Sequence, residues 1–143
     1  MVHGPNLNFL GKRDPTVYGQ KTLAEIDAAL QDRAGDLGCE LATFQSNNEG
    51  ALIDFIQQNA SAMDGLIVNP GALTHYGLSL HDALADLAIP IIEVHISNIY
   101  AREPWRAKSV IAPAATGQIS GLGWQGYIIA LQAMVEMIAP PAA

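Results

Sequence analysis

Two short runs of aliphatic residues, at Leu66–Asn69 and at residues 89–96, constrain the fold of this chain most. Both are rich in β-branched residues and neither alternates strictly with polar ones, which is typical of strands covered on both faces of a parallel sheet. A weaker run at residues 40–44 predicts a third strand. Residues 1–3 are few for a full first strand, so either this strand is a stub or the natural chain begins earlier.

Helical segments separate these runs, and their ends can be read from the sequence. Thr22 with Glu25, and Ser46 with Glu49, have the spacing of a capping box. In such a box the two side chains bind backbone amides of the first turn that have no partner within the helix. Gly38 predicts a left-handed residue at the end of the first helix.

Apolar residues at helical spacing predict two further helices, at about residues 78–87 and 122–138. Strands that alternate with helices require βαβ crossovers, so we expect an α/β fold: a three-layer, doubly wound parallel sheet of flavodoxin-like size. The 143 residues fit one domain, which ends in a frayed tail at about residues 139–143.

Composition and charge exclude several classes of protein. The formal net charge of -7 repels phosphate backbones, so no nucleic-acid partner is expected. No apolar run approaches the ~20 residues of a membrane span, and no basic region followed by an apolar stretch opens the chain. Cys39 is the one cysteine, which excludes an internal disulfide and fits a cytoplasmic protein in which this residue is a small buried hydrophobe.

The basic residues are clustered although the protein is acidic. Two short stretches hold five of the seven Lys and Arg residues: Lys12, Arg13, Arg102, Arg106 and Lys108. This concentration of positive charge predicts a small anion as ligand.

Ligands of open parallel sheets bind beyond the carboxyl ends of the strands, so the segments that leave each strand matter most. After the first strand, residues 10–21 form a long connection without periodicity, which predicts a lid or binding loop. The loop that begins at Gly4 lacks the glycine spacing of a nucleotide-binding turn. Asn69 stands where a phospho-acceptor domain would carry Asp, so both of these alternatives are disfavoured.

Alternation along a strand places Glu93, His95 and Ser97 on the same face. A carboxylate beside an imidazole can fix its tautomer and favour its protonated form, which suits a general acid. The alternative is a histidine satisfied by a backbone carbonyl at a strand end, and the pattern alone leaves both open.

Tyr18 and Arg13 lie in the predicted lid. Tyrosine is a poor base unless nearby cations stabilise its phenolate, so the pair is either a catalytic base with its partner or a packing clamp on the loop. His75 has no second ligand at metal-binding spacing, and we therefore predict no metal site. The lysines lie outside apolar strands, which disfavours a Schiff base.

The chain contains three separated motifs, at residues 3–19, 69–75 and 93–103, and a fourth stretch at residues 115–127. Together they resemble the type II 3-dehydroquinate dehydratases. The resemblance implies dehydration of 3-dehydroquinate to 3-dehydroshikimate in the shikimate pathway, by anti elimination through an enolate and without a cofactor or metal. A catabolic quinate pathway would use the same reaction. A non-catalytic anion-binding module on the same scaffold is the alternative outside the enzymes.

The resemblance also assigns the catalytic roles. Tyr18 is the base, held as a phenolate by Arg13 and by Arg106. His95 is the general acid that protonates the departing hydroxyl, and Glu93 is one of its orienting partners.

Asn6 is implied as a second orienting residue, which also holds a water at the enolate oxygen. The positions that match substrate-binding residues are Asn69, His75, Asp82, Ile96, Ser97 and Arg106. The Ile96 and Ser97 backbone and the Ser97 hydroxyl would receive the carboxylate, whereas Asp82 would accept from a substrate hydroxyl or cap the third helix. The family assembles as a dodecamer, a tetramer of trimers, so the resemblance implies a homo-oligomer here.

Overall fold

The computed structural model describes residues 1–141, which form a parallel sheet flanked by helices. The strands, in the sheet order β2-β1-β3-β4-β5, are β1 Val2–His3, β2 Phe44–Gln45, β3 Leu66–Asn69, β4 Ile91–His95 and β5 Gly117–Ser120. The helices are α1 Pro15–Tyr18, α2 Leu23–Leu37, α3 Glu49–Asn59, α4 Leu78–Ala85 and α5 Gln125–Ile138. This strand order is that of the flavodoxin-like doubly wound fold, as predicted.

Both faces of the sheet are covered by helices. Ile67 and Ile92 pack into a core with α2 and α5, whereas Leu66 and Ile91 pack into a second core with α3 and α4. Successive side chains of a strand point to opposite faces, so each strand must be apolar on both. The unbroken aliphatic runs follow from this burial.

The first predicted helix, which is α2 of the structure, begins and ends as predicted. Thr22 Oγ1 accepts from the backbone N–H of Glu25 at 3.2 Å, and the Glu25 carboxylate accepts from the N–H of Thr22 at 2.7 Å. Gly38 closes α2 with a φ of 69°. Left-handed backbone of this kind is open to glycine without the steric cost that a Cβ brings.

The second predicted capping box is wrong. Asn48 caps α3 instead, since its Oδ1 accepts from the N–H of Gly50 at 2.9 Å. The Glu49 carboxylate accepts from the N–H of Leu80 at 3.0 Å, and this contact ties α3 to α4. A tertiary contact therefore takes the side chain that the local motif assigned to the helix start.

Several boundaries also differ from the predicted ones. The run at residues 40–44 pairs only at its end, in β2, and the helix predicted from residue 122 begins at Gln125. The sequence pattern missed α1, which has four residues, and β5, an edge strand of half-buried residues without an apolar run. Cys39 is half-buried against the core. The predicted tail at residues 139–143 lies partly outside the described residues.

Backbone contact between two loops predicts that Gly4→Ala is strongly destabilising. The N–H of Gly4 donates to the carbonyl of Asn69 at 2.7 Å, and a Cβ on Gly4 would overlap the carbonyl of Pro70. We expect a loss of about 3 kcal/mol in the free energy of unfolding, measured by denaturant titration, because rigid backbone cannot yield as a side chain does. Gly35→Ala is the control, since a Cβ at this position in α2 would meet no atom within 4 Å beyond the backbone of its own helix. Equal unfolding midpoints for the two variants would contradict the packing argument.

Candidate active site

A cavity of about 160 Å³ lies beyond the carboxyl ends of β1, β3 and β4. The chain runs from β1 to β2 on one side and returns to β3 on the other, so the cavity lies where the strand order reverses. The predicted site residues that line it are Asn6, Arg13, Tyr18, Asn69, Ile96 and Arg106. The structure thus gathers residues that are far apart in sequence into one site.

The floor of the cavity is held by unusual backbone. Asn6 has a φ of 68°, a left-handed conformation that Asn tolerates better than most residues, and its N–H donates to Asn47 Oδ1 at 2.9 Å. Gly71 has a φ of 59°, and a Cβ there would lie 2.9 Å from the carbonyl oxygen of Pro5. The loops after β1 and β3 therefore meet through main-chain atoms.

Tyr18 lies at the end of α1, inside the predicted lid. Asp14 caps this short helix by accepting from the N–H of Thr16 at 2.9 Å, and hydrogen bonds from Thr16 lower the pKa of Asp14. Nη2 of Arg13 donates to the Tyr18 hydroxyl at 2.9 Å, and the Arg13 Cζ lies 3.7 Å from the centre of the Tyr18 ring. The cap thus fixes the turn that brings the guanidinium onto the phenol.

Arg102 lies beside Tyr18 as well as Arg13, whereas the resemblance implied Arg106 as the second guanidinium. Arg102 Cζ lies 5.3 Å from the Tyr18 ring centre. Arg106 lines the cavity but donates through Nε to the Glu103 carboxylate, with its Cζ 4.1 Å from the centre of the Trp105 ring. The hydrogen bond from Arg106 lowers the pKa of Glu103.

Glu93 and His95 are neighbours on one face of β4, the face that packs towards α3 and α4. His95 Nε2 lies 2.7 Å from Glu93 Oε1, and Glu93 is completely buried. The hydroxyls of Thr74 and Ser109 also contact this carboxylate. Burial alone would raise the pKa of Glu93, but the hydrogen bonds from His95, Thr74 and Ser109 outweigh it and keep the pKa below its usual range. The carboxylate is therefore the charged form, available to orient the imidazole.

Asn69 is fixed from both ends of its amide. Its Nδ2 donates to the Tyr127 hydroxyl at 2.6 Å, and its Oδ1 accepts from the N–H of Gly71 at 3.0 Å. Burial raises the pKa of Tyr127, which stays neutral. Tyr127 lies in α5, a helix that the sequence predicted, but no local pattern indicated that its hydroxyl contacts Asn69.

Other predicted residues lie away from the cavity lining. Ser97 follows the end of β4, so the strand alternation does not reach it, and its Oγ accepts from Arg102 Nη1 at 3.0 Å. His75 pairs through Nδ1 with the Lys108 carbonyl at 2.7 Å. Asp82 is exposed within α4, whose N-cap is Gly77, so the predicted capping role of Asp82 is wrong.

Neither a metal cluster nor a membrane helix occurs in the part of the chain that the structure describes. Within residues 1–141, His, Cys, Asp and Glu do not gather in a group of three that could hold a metal ion. None of the helices in these residues is both long and apolar enough to cross a membrane.

The fold and the site define the class of protein: an α/β enzyme in which a tyrosine lies beside a guanidinium and an imidazole beside a buried carboxylate, groups that suit acid–base chemistry. The family model of dehydroquinase class II matches residues 1–135, and the chain belongs to this family. The predictions of the family, of the fold and of a lyase activity are confirmed.

Named relatives and solved structures agree with this membership. A 3-dehydroquinate dehydratase of Roseiflexus castenholzii is 64% identical over 92% of this chain and 84% of its own length. One of Halothermothrix orenii is 54% identical over 96% and 93%. The crystal structure of a type II dehydroquinase from Propionibacterium acnes is 40% identical, with a TM-score of 0.91 over 94% of this chain and 93% of its own.

Proposed function

We propose that this chain eliminates water from 3-dehydroquinate to give 3-dehydroshikimate, in the shikimate pathway, by anti elimination through an enolate. The observation that carries the proposal is the Tyr18 hydroxyl, which accepts from Arg13 within the cavity at the strand ends. The proposal takes residues 1–143 as one cytoplasmic catalytic domain and residues 10–21 as its lid. It needs no cofactor.

Tyr18 acts as the base. Its phenolate removes the proton from the carbon next to the ketone, and the electron pair moves onto the ketone oxygen to form the enolate. The Arg13 guanidinium, 2.9 Å from the hydroxyl, and the Arg102 guanidinium near the ring favour the charged phenolate. Negative charge develops on the enolate oxygen, where a water held by Asn6 donates.

His95 acts as the acid. The enolate collapses, the carbon–oxygen bond of the neighbouring hydroxyl breaks, and the imidazolium of His95 supplies the proton that makes this oxygen leave as water. Glu93, 2.7 Å from Nε2, fixes the orientation of the ring. Proton exchange with solvent then restores Tyr18 and His95 to their starting forms.

The substrate carboxylate and hydroxyls are assigned to the remaining polar groups. The backbone of Ile96 and Ser97 and the Ser97 hydroxyl take the carboxylate, and Arg106 takes the hydroxyl side of the ring. Asn69 and His75 complete the binding set. The cavity lining supports this assignment for Ile96, Asn69 and Arg106, which belong to it.

Asp82 keeps its proposed role only in an assembly, because it is exposed and outside the cavity of its own chain. We therefore propose a homo-oligomer, up to a dodecamer built as a tetramer of trimers, in which a neighbouring chain brings Asp82 to a cavity. Tyr76 before α4 and Leu78 at its start are 64% and 65% exposed, and they offer apolar surface for such a contact. Sedimentation and activity of Asp82→Asn, compared with those of Asp54→Asn in α3, test this assignment.

A direct assay tests the activity itself. The purified protein is mixed with 3-dehydroquinate, and the ultraviolet absorbance of the conjugated enone is expected to grow with enzyme concentration. A folded protein that produces no absorbance would leave only the anion-binding module. The same assay with a chelator is expected to give an unchanged rate, whereas a loss restored by a divalent ion would contradict the metal-free mechanism.

Arg13→Gln is expected to lower kcat by about a hundredfold, because one donor to the reacting oxygen is lost. Activity should also require a more alkaline pH, because less positive charge remains beside Tyr18 to stabilise its phenolate. Lys12→Gln is the matched control: it removes the same charge one residue away, where the ammonium lies exposed, 5.9 Å from the Phe9 ring centre. Identical pH–rate profiles for the two variants would argue against phenolate stabilisation by Arg13.

A further inference from the structure

Every hydrogen-bonding site of the Ser109 hydroxyl has a partner. The N–H groups of Ile111 and Ala112 donate to its Oγ at 3.1 and 2.8 Å. The same Oγ lies 2.9 and 3.0 Å from the two carboxylate oxygens of Glu93. A hydroxyl has two acceptor sites and one hydrogen, so the two amides fill its acceptor sites and the hydrogen points to Glu93.

Glu93 joins three parts of the chain. It shares β4 with His95, it accepts from Thr74 in the turn after β3, and it accepts from Ser109 in the loop before β5. The exposed fraction of Glu93 is 0%, so these groups replace the water that would otherwise solvate its charge. Bonds to a buried ionised carboxylate are stronger than those between neutral groups.

Ser109 lies three residues after Arg106, in a segment fixed to the neighbouring turn. The N–H of Val110 donates to the Thr74 carbonyl at 2.7 Å. His75 Nδ1 lies 2.7 Å from the Lys108 carbonyl. Ser109 is the residue of this segment that reaches the carboxylate, so the path of the chain at Arg106 depends on where Glu93 is held.

We propose that Ser109 is a positioning residue for the dehydration, which aligns the general acid His95 and the substrate-binding Arg106 on one buried carboxylate, Glu93. The inference rests on the proposed function and extends it to a residue outside the cavity lining. Ser109 touches neither substrate nor a reacting atom, and it acts through Glu93.

Ser109→Ala tests this inference. We expect kcat to fall by tenfold to about a hundredfold, because a small misplacement of catalytic groups has costs of this size. The alkaline limb of the kcat profile should move to higher pH, since a carboxylate with fewer donors interacts more strongly with the imidazolium of His95. KM should rise as well, because the segment of Arg106 loses its one contact with the carboxylate of Glu93. Ser109→Thr retains the hydroxyl and is expected to restore the alkaline limb.

Ser61→Ala, an exposed serine after α3, is the control and should leave both kcat and the pH profile unchanged. A Ser109→Ala protein that melts earlier but keeps the wild-type pH profile and KM would overturn the proposal, since it would show a purely structural role. NMR of the His95 ring gives a readout without turnover: its signals should shift between wild type and Ser109→Ala, and unchanged signals would also overturn the proposal. If the wild type is inactive but the His95 signals differ between wild type and Ser109→Ala, the proposed function is contradicted. The positioning of His95 by Ser109 through Glu93 is then still supported.

Discussion

Tyr18→Phe is expected to lower kcat by about a thousandfold, because general bases contribute ~10²–10⁴ to rate and this substitution removes the oxygen that takes the proton. The ring keeps its place beside Arg13, whose Cζ lies 3.7 Å from the ring centre. Binding of 3-dehydroquinate should therefore remain measurable by calorimetry, since the phenol oxygen acts in the chemical step.

The matched control is Tyr76→Phe, which removes a hydroxyl from a tyrosine that is 64% exposed. It should turn over at the wild-type rate. Retention of more than about a tenth of wild-type turnover by Tyr18→Phe would rule out Tyr18 as the base, because a base contributes at least ~10². In heavy water, Tyr18→Phe should also fail to exchange the substrate proton next to the ketone, since that exchange requires the same base.

His95→Gln is the second substitution with a large expected effect, and it should separate the two halves of the reaction. Without the acid, the hydroxyl leaves poorly and kcat should fall by ~10²–10⁴. The base is intact, so proton exchange next to the ketone should continue when 3-dehydroquinate is followed by NMR in heavy water. Proton exchange that is lost in Tyr18→Phe but kept in His95→Gln would assign the first step to Tyr18 and the second to His95.

The fold must be checked in parallel, because His95→Gln changes a partner of the fully buried Glu93. Thermal unfolding with 3-dehydroquinate present reports both folding and binding. A folded, substrate-binding His95→Gln protein with normal elimination would exclude His95 as the acid. If His95→Gln loses both the proton exchange and the elimination of water, both steps would instead be assigned to one group.

Strand periodicity explains why part of the site is legible in the sequence. Glu93 and His95 are two residues apart on a strand, so their proximity follows from local geometry alone. The paths of the loops carry no such period: Arg102 approaches Tyr18, and Ser109 approaches Glu93, because of how irregular segments fold back over the sheet. The catalytic interpretation of Arg13 and Tyr18 followed from the resemblance, since composition and spacing favoured a packing clamp.

The same distinction holds for the fold. The capping box at Thr22 needs only residues within one turn, and it forms. Ser46 and Glu49 have the same spacing, but the carboxylate of Glu49 bonds to Leu80 in another helix. Aliphatic strands buried on both faces were visible as runs, whereas β5 is an edge strand whose residues are only partly covered. Local signals thus predicted what local contacts determine.

The meeting of Gly4 with Pro70, and of Gly71 with Pro5, has a consequence for ligand design. Main-chain atoms cannot be shortened by substitution, so the contact between these two loops offers no volume that a mutation could release. A larger inhibitor must therefore gain its space from the side chains of the lining, among which Arg13 and Tyr18 are carried by residues 10–21. Selectivity between relatives, and resistance to such an inhibitor, should consequently arise in that segment.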